Sequence, residues 1–599
     1  MQDPNVLLAI LSQMGRKSEV QFDKLFQKLY NTHLWVMAYE QMAPKAGNMT
    51  PGVDGHTIDG MSKARIEKIV AALKASRYVP KPVRRMYIPK ANGKQRPLGI
   101  PSFEDKLLQT VVKLLLEAIY EPTFSNSSHG FRPQRSCHTA LEEIKKMNGV
   151  RWWIEGDIQG FFDNLNHGVL LNILGKRIKD KRFLHLIDQF LKAGYIENWQ
   201  YHRTYSGTPQ GGPLSPLLAN IYLNELDQAV EQKVIAFNQG KRRRANPAYR
   251  KIIYQKGCAK HKARETGDWT RYKALQQQLL QMQPEDQQDP NFRRLRYVRY
   301  ADDFLIGIVG SKADAKAIKT WIAGFLKQEL QLELSAEKTL ITNARDTIRF
   351  LGYDIQRWAG KRVLKVHTPS GVMTKRTTSY HLALRLPYDK LIQVATKYGD
   401  PQTWRGHHRG ELHNLSELEI MLIYNTELRG FFNYYALADN LKYLAAKLLW
   451  MSTASFMRTL AGKRNTTMMR VIRSLKKGTN QFVITLNKPN GKIHNYRLVS
   501  STKQLEHKRI AFTTLDQIPN TIIYRKRTEL GRRFCAQKCE WCGTRDAPFE
   551  VHHVRGLKDL KGKTVWERQM IERQRKTMIL CHQCHKELHA GKLRPRPTY

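Results

Sequence analysis

The sequence predicts a mixed α+β fold of several domains, and three changes of pattern along the chain lead to this prediction. The first 360 residues alternate between short strand-like runs and helical segments, whereas residues 370–475 space their aliphatic side chains as a helical bundle does. Five of the seven cysteines lie in the last 65 residues, a clustering typical of metal ligation in a reducing compartment. A chain of 599 residues has room for about four domains.

The composition indicates a polyanionic partner. Lysine and arginine total 100 against 52 aspartate and glutamate residues, so the formal net charge is +48. This excess of positive charge favours nucleic acid as the partner, with an anionic membrane surface as the weaker alternative. No run approaches the 18 or so apolar residues that span a bilayer, and Val6 to Leu11 is too short for a signal-peptide core. We therefore expect no membrane insertion and a cytoplasmic location.

Local patterns predict several of the elements. Val83 to Ile88 and Gln95 to Ile100 flank an Asn-Gly dipeptide, which predicts a β-hairpin. Trp152 to Ile158 is expected to be a core strand, and Arg296 to Val309 a hairpin with two aspartates at its tip. Residues 241–299 hold sixteen Lys/Arg against five Asp/Glu and few aliphatic residues, so they are interpreted as an inserted basic helix pair or loop.

Two separated acidic segments could hold metal ions. Asp157 ends an apolar strand, and Asp302 and Asp303 occupy the predicted hairpin tip. Phosphoryl transfer by two Mg²⁺ ions needs carboxylates that converge from separate elements. Taken alone, an Asp-Asp pair at a tip is ordinary turn chemistry, so the neighbouring motifs decide between the two interpretations.

Seven motifs occur in the order found in group II intron reverse transcriptases and resemble the successive blocks of that family: Arg96-Pro97-Leu98-Gly99-Ile100-Pro101, His129-Gly130-Phe131-Arg132-Pro133, Asp157-Ile158-Gln159-Gly160-Phe161-Phe162-Asp163, Pro209-Gln210-Gly211, Tyr300-Ala301-Asp302-Asp303, Glu337-Lys338-Thr339 and Phe350-Leu351-Gly352-Tyr353. The segment from Tyr424 to Tyr435 is similar to the maturase (thumb) domain of bacterial group II intron-encoded proteins. The resemblance implies a right-hand polymerase with fingers, palm and helical thumb.

By this resemblance, Asp157, Asp302 and Asp303 are the catalytic carboxylates for two Mg²⁺ ions. It also implies a set of nucleotide-binding residues: Lys90, Arg96, Phe162, Gln210 and Lys338. The two basic residues would clamp the triphosphate, and the aromatic ring would select deoxynucleotides by excluding a 2′-hydroxyl. Lys338 would protonate the leaving pyrophosphate. The alternatives are exposed basic residues without a ligand and a plain core phenylalanine.

The carboxy-terminal cysteines form two Cys-x-x-Cys pairs, in which four thiolates suffice for a structural Zn²⁺: Cys539, Cys542, Cys581 and Cys584. Nearby histidines complete a layout that resembles the H-N-H endonuclease family, whose zinc-stabilised form has a ββα-metal fold. The resemblance makes His553 the general base and His552, His585 and His589 the ligands of a catalytic divalent metal. The asparagine usual in that family has no clear counterpart near Arg573 to Thr577, and the histidines could instead belong to a zinc ribbon that grips DNA.

The resemblance implies four regions: fingers and palm over residues 1–365 with the basic insertion, a maturase (thumb) domain over 366–478, a small DNA-binding region over 479–530, and the H-N-H domain over 531–599. The expected function is that of a group II intron-encoded protein, which binds its intron RNA to promote splicing, reverse transcribes it from a nicked target DNA with deoxynucleoside triphosphates, and makes the nick. Bound to target DNA it would lie at the bacterial nucleoid. A free-standing reverse transcriptase and a splicing factor with inactive sites are the alternatives.

Overall fold

The computed structural model of the chain describes residues 2–89, 93, 95–197, 200–204, 206–207, 211–286, 289–357, 363–369, 371–376, 381–477, 481–487, 493–502, 504 and 529–593. It is a mixed α+β structure with seven sheets among these residues. No helix in the described ranges combines the length and the apolar character needed to cross a bilayer.

The amino-terminal third surrounds a four-stranded sheet of order β3-β2-β5-β6. Its elements are α1 (Pro4–Gly15), α2 (Leu25–Lys28), α3 (Thr32–Met42), β1 (Met61–Ser62), α4 (Lys63–Lys74), β2 (Val83–Pro89), β3 (Gln95–Ile100), α5 (Phe103–Tyr120), α6 (Cys137–Lys145), β4 (Trp152–Gly156), α7 (Phe161–Asn164), α8 (His167–Arg177), α9 (Lys181–Lys192), β5 (Tyr195–Glu197) and β6 (Gln200–His202). The antiparallel pairing of Pro89 with Gln95 confirms the predicted hairpin, although most of its turn lies outside the described residues.

A second four-stranded sheet, of order β7-β8-β4-β9, forms the centre of the molecule. The elements that follow the first sheet are α10 (Ser215–Phe237), α11 (Pro247–Thr266), α12 (Thr270–Gln281), β7 (Arg294–Tyr300), β8 (Asp303–Val309), α13 (Lys312–Glu329) and β9 (Leu340–Asn343). The predicted hairpin with Asp302 at its tip is confirmed as β7 and β8. The basic insertion contains the helix pair α11 and α12, which pack on each other.

The next region was predicted to be a helical bundle from residue 370, and this is wrong for its first part. It contains β10 (Ile348–Phe350), β11 (Tyr353–Arg357), β12 (Val363–Thr368), β13 (Gly371–Arg376), β14 (Leu382–Arg385), α14 (Tyr388–Ala395), β15 (Gly399–Asp400), β16 (Arg405–Gly406), α15 (Glu417–Tyr434), α16 (Leu441–Lys463), α17 (Met468–Leu475), β17 (Val483–Asn487) and β18 (Ile493–Arg497). Leu382 and Leu384 pair with β11, and cross-strand pairing of this kind leaves no helical period in the sequence. From Glu417 to Leu475 the helical prediction is confirmed.

The carboxy-terminal region is a β-hairpin flanked by helices: α18 (Glu529–Cys535), β19 (Phe549–His553), α19 (Val565–Glu572), β20 (Thr577–Cys581) and α20 (His582–His589). Its sheet has the order β1-β19-β20, so it includes a strand from the amino-terminal region. One apolar core runs from α1 through the central sheet to Leu588, and a second joins α6 to α15 and α16.

Candidate active sites

The central sheet brings the three candidate carboxylates to one end of neighbouring strands. Asp157 follows the last residue of β4, and Gly156 pairs with Phe304 on β8. Tyr300 pairs with Asp303 across the tight turn, in which Ala301 has a φ of 57°. Asp157 and Asp303 are therefore adjacent because β4 and β8 are antiparallel neighbours, and Asp302 lies at the tip of the turn beside them.

Close backbone approaches support this turn. A Cβ atom on Gly156 would lie 2.1 Å from the Phe304 ring, and one on Gly130 would lie 2.4 Å from the backbone nitrogen of Ala301. Contacts this short leave no room for a side chain, so glycine is required at both positions. The His129-Gly130-Phe131 motif thus acts as a support for the turn.

Burial and neighbouring negative charge raise the pKa values of the two turn aspartates, Asp302 and Asp303. Burial, followed by the charges of Asp302 and Asp157, raises the pKa of Asp303 to about 7. Burial also raises the pKa of Asp302, and the positive charge of Arg96 opposes this shift. A set of converging, mutually repelling carboxylates is the hard oxygen donor set that Mg²⁺ prefers, so the residues present fit this metal. Among the described residues, these three carboxylates do not bring one oxygen each to within 4.8 Å of one another.

The candidate nucleotide-binding residues are placed as follows. Arg96 lies on the exposed part of β3, close enough for its charge to oppose the rise that burial causes in the pKa of Asp302. Phe162 is half-buried in α7, and its ring packs edge-on against Phe161 at 5.3 Å. The Nζ atom of Lys338 lies 2.9 Å from Oδ2 of Asp157, and this hydrogen bond raises the pKa of the lysine. Lys90 and Gln210 lie outside the described residues.

Two glycines that precede α10, Gly207 and Gly211, approach the backbone of other elements closely. A Cβ atom on Gly207 would lie 2.5 Å from the Phe162 carbonyl oxygen, and one on Gly211 would lie 2.5 Å from the Gly99 carbonyl oxygen. Both glycines have positive φ angles, which a larger residue adopts only with strain. Gly207 is thereby held next to α7, which carries Phe162, and Gly211 next to β3, which carries Arg96.

Two residues that support the turn were missed by the sequence analysis. The guanidinium of Arg299, at the end of β7, is fully buried and pairs with Asp227 of α10. Arg299 also donates hydrogen bonds to Asn220 and to the carbonyl oxygen of Ala301. The available signal was the spacing of Asn220 and Asp227, which lie seven residues apart and therefore on the same face of α10.

The four predicted zinc ligands do come together. All four sulfur atoms lie within 4.8 Å of one another, and the Sγ atoms of Cys542 and Cys581 are 3.7 Å apart. A tetrahedral zinc ion with Zn–S bonds of about 2.3 Å separates its sulfurs by about 3.8 Å. The backbone N–H of Cys542 points to Sγ of Cys539, and that of Cys584 points to Sγ of Cys581. These residues fit a structural zinc ion.

The predicted histidine ligands also cluster, together with a carboxylate that was not predicted. Ring nitrogens of His552, His585 and His589 lie within 4.8 Å of one another and of an Asp59 carboxylate oxygen. Glu550 accepts a 2.5 Å hydrogen bond at Nδ1 of His585, which leaves Nε2 of that ring for a metal. His552 is only 5% exposed; its Nδ1 atom lies 3.3 Å from Oδ1 of Asp59, and neither ring nitrogen makes a well-formed hydrogen bond within the described chain. These unsatisfied nitrogens fit a divalent metal.

The predicted general base lies on the other side of the same strand. His553 is adjacent to His552 in β19, so its side chain faces the opposite way. It is 3% exposed, and its Nε2 atom lies 2.6 Å from the hydroxyl oxygen of Tyr39. Burial lowers the pKa of His553 to about 4, which leaves the ring neutral at physiological pH.

Comparison with known proteins gives three family matches along the chain. Residues 88–254 match the model of the reverse transcriptase (RNA-dependent DNA polymerase) family, residues 380–524 match type II intron maturase, and residues 539–585 match AI2M/AI1M-like HNH endonuclease. The last match contains all four cysteines of the zinc site and three of the histidines described above.

Curated relatives extend the similarity to nearly the whole chain. The group II intron-encoded protein LtrA of Lactococcus lactis subsp. cremoris is 41% identical over 97% of this chain and 98% of its own length. The putative COX1/OXI3 intron 1 protein of Saccharomyces cerevisiae is 32% identical over 96% of this chain and 69% of its own length. Protein YkfC of Escherichia coli is 36% identical over 52% of this chain and 77% of its own length.

Proposed function

Because the chain belongs to the group II intron-encoded proteins and combines reverse transcriptase, type II intron maturase and HNH endonuclease domains, we propose specific residues for each of its activities. In this proposal the protein binds its intron RNA and promotes splicing, copies the inserted RNA into DNA from a nicked target strand, and makes that nick. The observation that carries the polymerase assignment is the convergence of Asp157 with Asp302 and Asp303 at one end of the central sheet.

The polymerase is arranged as a right hand. The central sheet β7-β8-β4-β9 is its palm, the sheet β3-β2-β5-β6 belongs to the fingers, and α15 to α17 form the thumb. Asp157, Asp302 and Asp303 would hold two Mg²⁺ ions, which supply activation of the primer hydroxyl and neutralisation of charge on the phosphates. The raised pKa values of the two turn aspartates are the expected cost of crowding carboxylates where cations are to bind.

The incoming deoxynucleoside triphosphate lies between the fingers hairpin and the palm. Arg96 reaches its phosphates with a planar, bidentate donor, and Lys90 on the facing arm adds a point charge. Phe162 packs beneath the sugar and excludes a 2′-hydroxyl, while Gln210 contacts the nucleotide from the loop before α10. Lys338 stays protonated beside Asp157 and delivers its proton to the leaving pyrophosphate.

The nucleic-acid contacts are distributed over the domains expected from the sequence. The regions 1–365, 366–478, 479–530 and 531–599 correspond to fingers and palm, maturase (thumb), DNA-binding region and endonuclease. A net charge of +48 supports phosphate contacts spread over a large folded RNA and a target DNA. The reduced, clustered cysteines and the bacterial relative support action in the bacterial cytoplasm, at the nucleoid when target DNA is bound.

The endonuclease cuts the target strand with the histidine cluster. His552, His585 and His589 would hold a divalent metal, which supplies stabilisation of the leaving 3′-oxygen. His553 acts as the general base on water, and its neutral state at physiological pH supports this role. Zinc in the Cys539, Cys542, Cys581 and Cys584 site holds the base of the hairpin to α20 and has no part in the reaction.

A pair of aspartate variants tests the polymerase assignment. Asp302→Asn removes one carboxylate charge and is expected to abolish primer extension on an RNA template while intron RNA binding stays nearly intact. Asp346→Asn is the matched control, because Asp346 is an exposed residue in a neighbouring loop of the same domain. Extension by Asp302→Asn that persists above the level of Asp157→Asn would show that the metal assignment is wrong.

The RNA partner is tested separately from the chemistry. Native purification of the protein from its host, followed by sequencing of the bound RNA, is expected to recover one excised lariat intron that contains this reading frame. A heterogeneous pool, or an unrelated short noncoding RNA, would leave the polymerase proposal standing and overturn the role of the parent intron.

A further inference from the structure

The endonuclease sheet includes one strand from the amino-terminal region, β1. β1 runs antiparallel to β19, with Met61 opposite Val551, and the Gly60 N–H donates a hydrogen bond to the Val551 carbonyl oxygen at 3.1 Å. Met61 and Val551 are both fully buried. The apolar residues around this pairing belong to the same core as the amino-terminal helices. The endonuclease region is therefore docked through backbone pairing and a shared core.

Asp59, two residues before this strand, points its carboxylate into the histidine cluster. Oδ2 of Asp59 lies 2.8 Å from Nε2 of His589 and 3.5 Å from Nε2 of His585. Oδ1 of Asp59 lies 3.3 Å from Nδ1 of His552 and accepts a 2.7 Å hydrogen bond from the backbone N–H of His553. The cluster thus has four protein donor groups, three imidazoles and one carboxylate, with the carboxylate coming from a region about 500 residues earlier in the chain.

The number of protein ligands determines how many coordination positions on a metal ion stay open for water or substrate. Structural zinc sites are closed by four protein ligands, whereas catalytic zinc sites have three and keep one position open for water or substrate, so each added protein ligand leaves less room for substrate on the metal. A carboxylate oxygen is a hard, anionic donor, as is a phosphodiester oxygen, so both compete for the same position on a divalent cation. With a divalent cation in the cluster, Asp59 would occupy a position for which a DNA phosphate competes.

The face of β19 that carries the proposed general base is closed by the same amino-terminal region. Nε2 of His553 shares a hydrogen bond with the Tyr39 hydroxyl, and the two rings pack edge to face at 5.8 Å. Tyr39 is itself fully buried and packs against Phe534 of α18. Whichever of the two atoms donates, the ring nitrogen is engaged and out of reach of bulk water.

We propose that Tyr39 and residues 58–62 form an autoinhibitory latch on the endonuclease, in which Asp59 is a fourth metal ligand that target DNA must displace before the strand is cut. The latch rests on the endonuclease role assigned to the histidines above. It explains why the amino-terminal region closes both sites, with Asp59 at the metal cluster and Tyr39 at the general base. It also makes nicking conditional on release of the endonuclease region from the fingers.

Two variants and one control separate this latch from ordinary structural contacts. Asp59→Ala removes the fourth ligand, and Tyr39→Phe removes the hydroxyl that engages His553 while keeping the ring. Asp54→Ala is the matched control, because Asp54 lies on the same loop but pairs with Lys81 at 3.0 Å. Each full-length variant is assembled with its RNA and assayed for nicking of target and random duplex DNA, for primer extension, and for Ni²⁺ affinity.

The latch predicts opposite effects on binding and cutting. For Asp59→Ala we expect nicking of random DNA to rise at least tenfold at saturating Mg²⁺, Ni²⁺ affinity to fall about tenfold or more, and primer extension to stay unchanged. Tyr39→Phe is expected to raise nicking without changing Ni²⁺ affinity, and Asp54→Ala to resemble the wild type. Nicking by Asp59→Ala that falls to the level of His552→Ala would make Asp59 an activating ligand and overturn the latch, as would unchanged nicking with unchanged affinity.

Hydrogen exchange provides a readout that does not depend on cutting. Addition of target DNA in Ca²⁺ is expected to accelerate exchange of the Gly60 amide and of β19 amides at least tenfold, and constant protection would contradict release. Failure of the endonuclease role itself is recognised separately. In that case neither the wild type nor Asp59→Ala cuts any DNA, and the Ni²⁺ measurement alone decides whether Asp59 is a ligand.

Discussion

The guanidinium of Arg299 and the carboxylate of Asp227 form a fully buried ion pair behind the turn that carries Asp302 and Asp303, with Nη2 of the arginine 2.5 Å from Oδ2 of the aspartate. The same guanidinium donates 2.8 Å hydrogen bonds to the hydroxyl of Ser128 and to the carbonyl oxygen of Ala301. Burial of a charge is costly unless it is paired and hydrogen-bonded, and here both conditions are met. The pair therefore ties α10 and the His129-Gly130-Phe131 support to the turn that carries Asp302 and Asp303.

Replacement of Arg299 by lysine is expected to lower the rate of nucleotide addition more than it lowers the stability of the fold. Arg299→Lys keeps a positive charge beside Asp227 but cannot reach Ser128 and Ala301 together, because an ammonium lacks the fork of donors. We expect the rate constant for single-nucleotide addition to fall by about tenfold to a hundredfold, which corresponds to roughly 1.4 to 2.7 kcal/mol. Single-turnover primer extension measures this rate constant. Arg296→Lys, on the exposed face of the same strand, is the control and is expected to be within about twofold of wild type.

Removal of Asp227 alone is expected to destabilise the protein more than replacement of both Asp227 and Arg299 by apolar residues. Asp227→Ala leaves a buried, unpaired guanidinium and is expected to cost about 3–5 kcal/mol of stability. The double variant Arg299→Met with Asp227→Leu is expected to recover most of the thermal stability but little primer extension. Recovery of full extension by the double variant would show that the ion pair has no role in placing the turn.

Much of the polymerase site could be predicted because its signals are local. The hairpin with Asp302 at its tip and the strand before Asp157 follow from alternation and turn residues, and the structure pairs them as neighbours. Arg299 and Asp227 were missed because a buried charge looks like a surface charge in a sequence until its partner is known. The strands β13 to β16 were misread because short paired strands leave no period long enough to separate from helical spacing.

In the cysteine and histidine clusters, too, local signals allowed prediction and a distant contact escaped it. Close spacing within each cysteine pair predicted the zinc site, and the resemblance to the H-N-H family implied three of the four groups of the histidine cluster. Asp59 contacts the backbone of His553 across 494 residues of sequence, and no local pattern marks such a contact. Its position depends on the docking of β1 on β19, which is a property of the assembled fold.

Loss of zinc is expected to disable the endonuclease region alone. Cys542→Ser and Cys584→Ser each remove one thiolate from the tetrahedral set, and structural zinc supplies folding free energy directly. We expect zinc content, measured by plasma mass spectrometry, to fall from about one ion per chain to a small fraction, with loss of nicking and retention of primer extension. Cys258→Ser is the control, since Cys258 is exposed in the basic helix pair. Full zinc content in both variants would refute the assignment.

His553 can be separated from its neighbours by substitution. His553→Ala removes the proposed general base and is expected to lower nicking by about 10²–10⁴-fold, with primer extension and zinc content unchanged. His582→Gln is the control, because His582 is exposed, contacts Glu550 and lies outside the metal cluster. Since both residues border the same sheet, a loss of nicking in both variants would indicate a folding effect. Retained nicking in His553→Ala would rule out its role as the base.

The helix pair α11 and α12 is expected to bind RNA phosphates. Ala259 and Ala263 of α11 are buried, and Lys260 and Arg264 are exposed one turn apart on the same helix. Replacement of both by glutamine should remove two phosphate contacts and reduce the slope of log K against log salt concentration by about 1.4 to 1.8. Filter binding of intron RNA between about 50 and 200 mM salt measures this slope. Lys316→Gln with Lys327→Gln on α13 removes the same charge from another exposed helix. An equal slope change in both pairs would mean that net charge, and not this helix pair, determines the affinity.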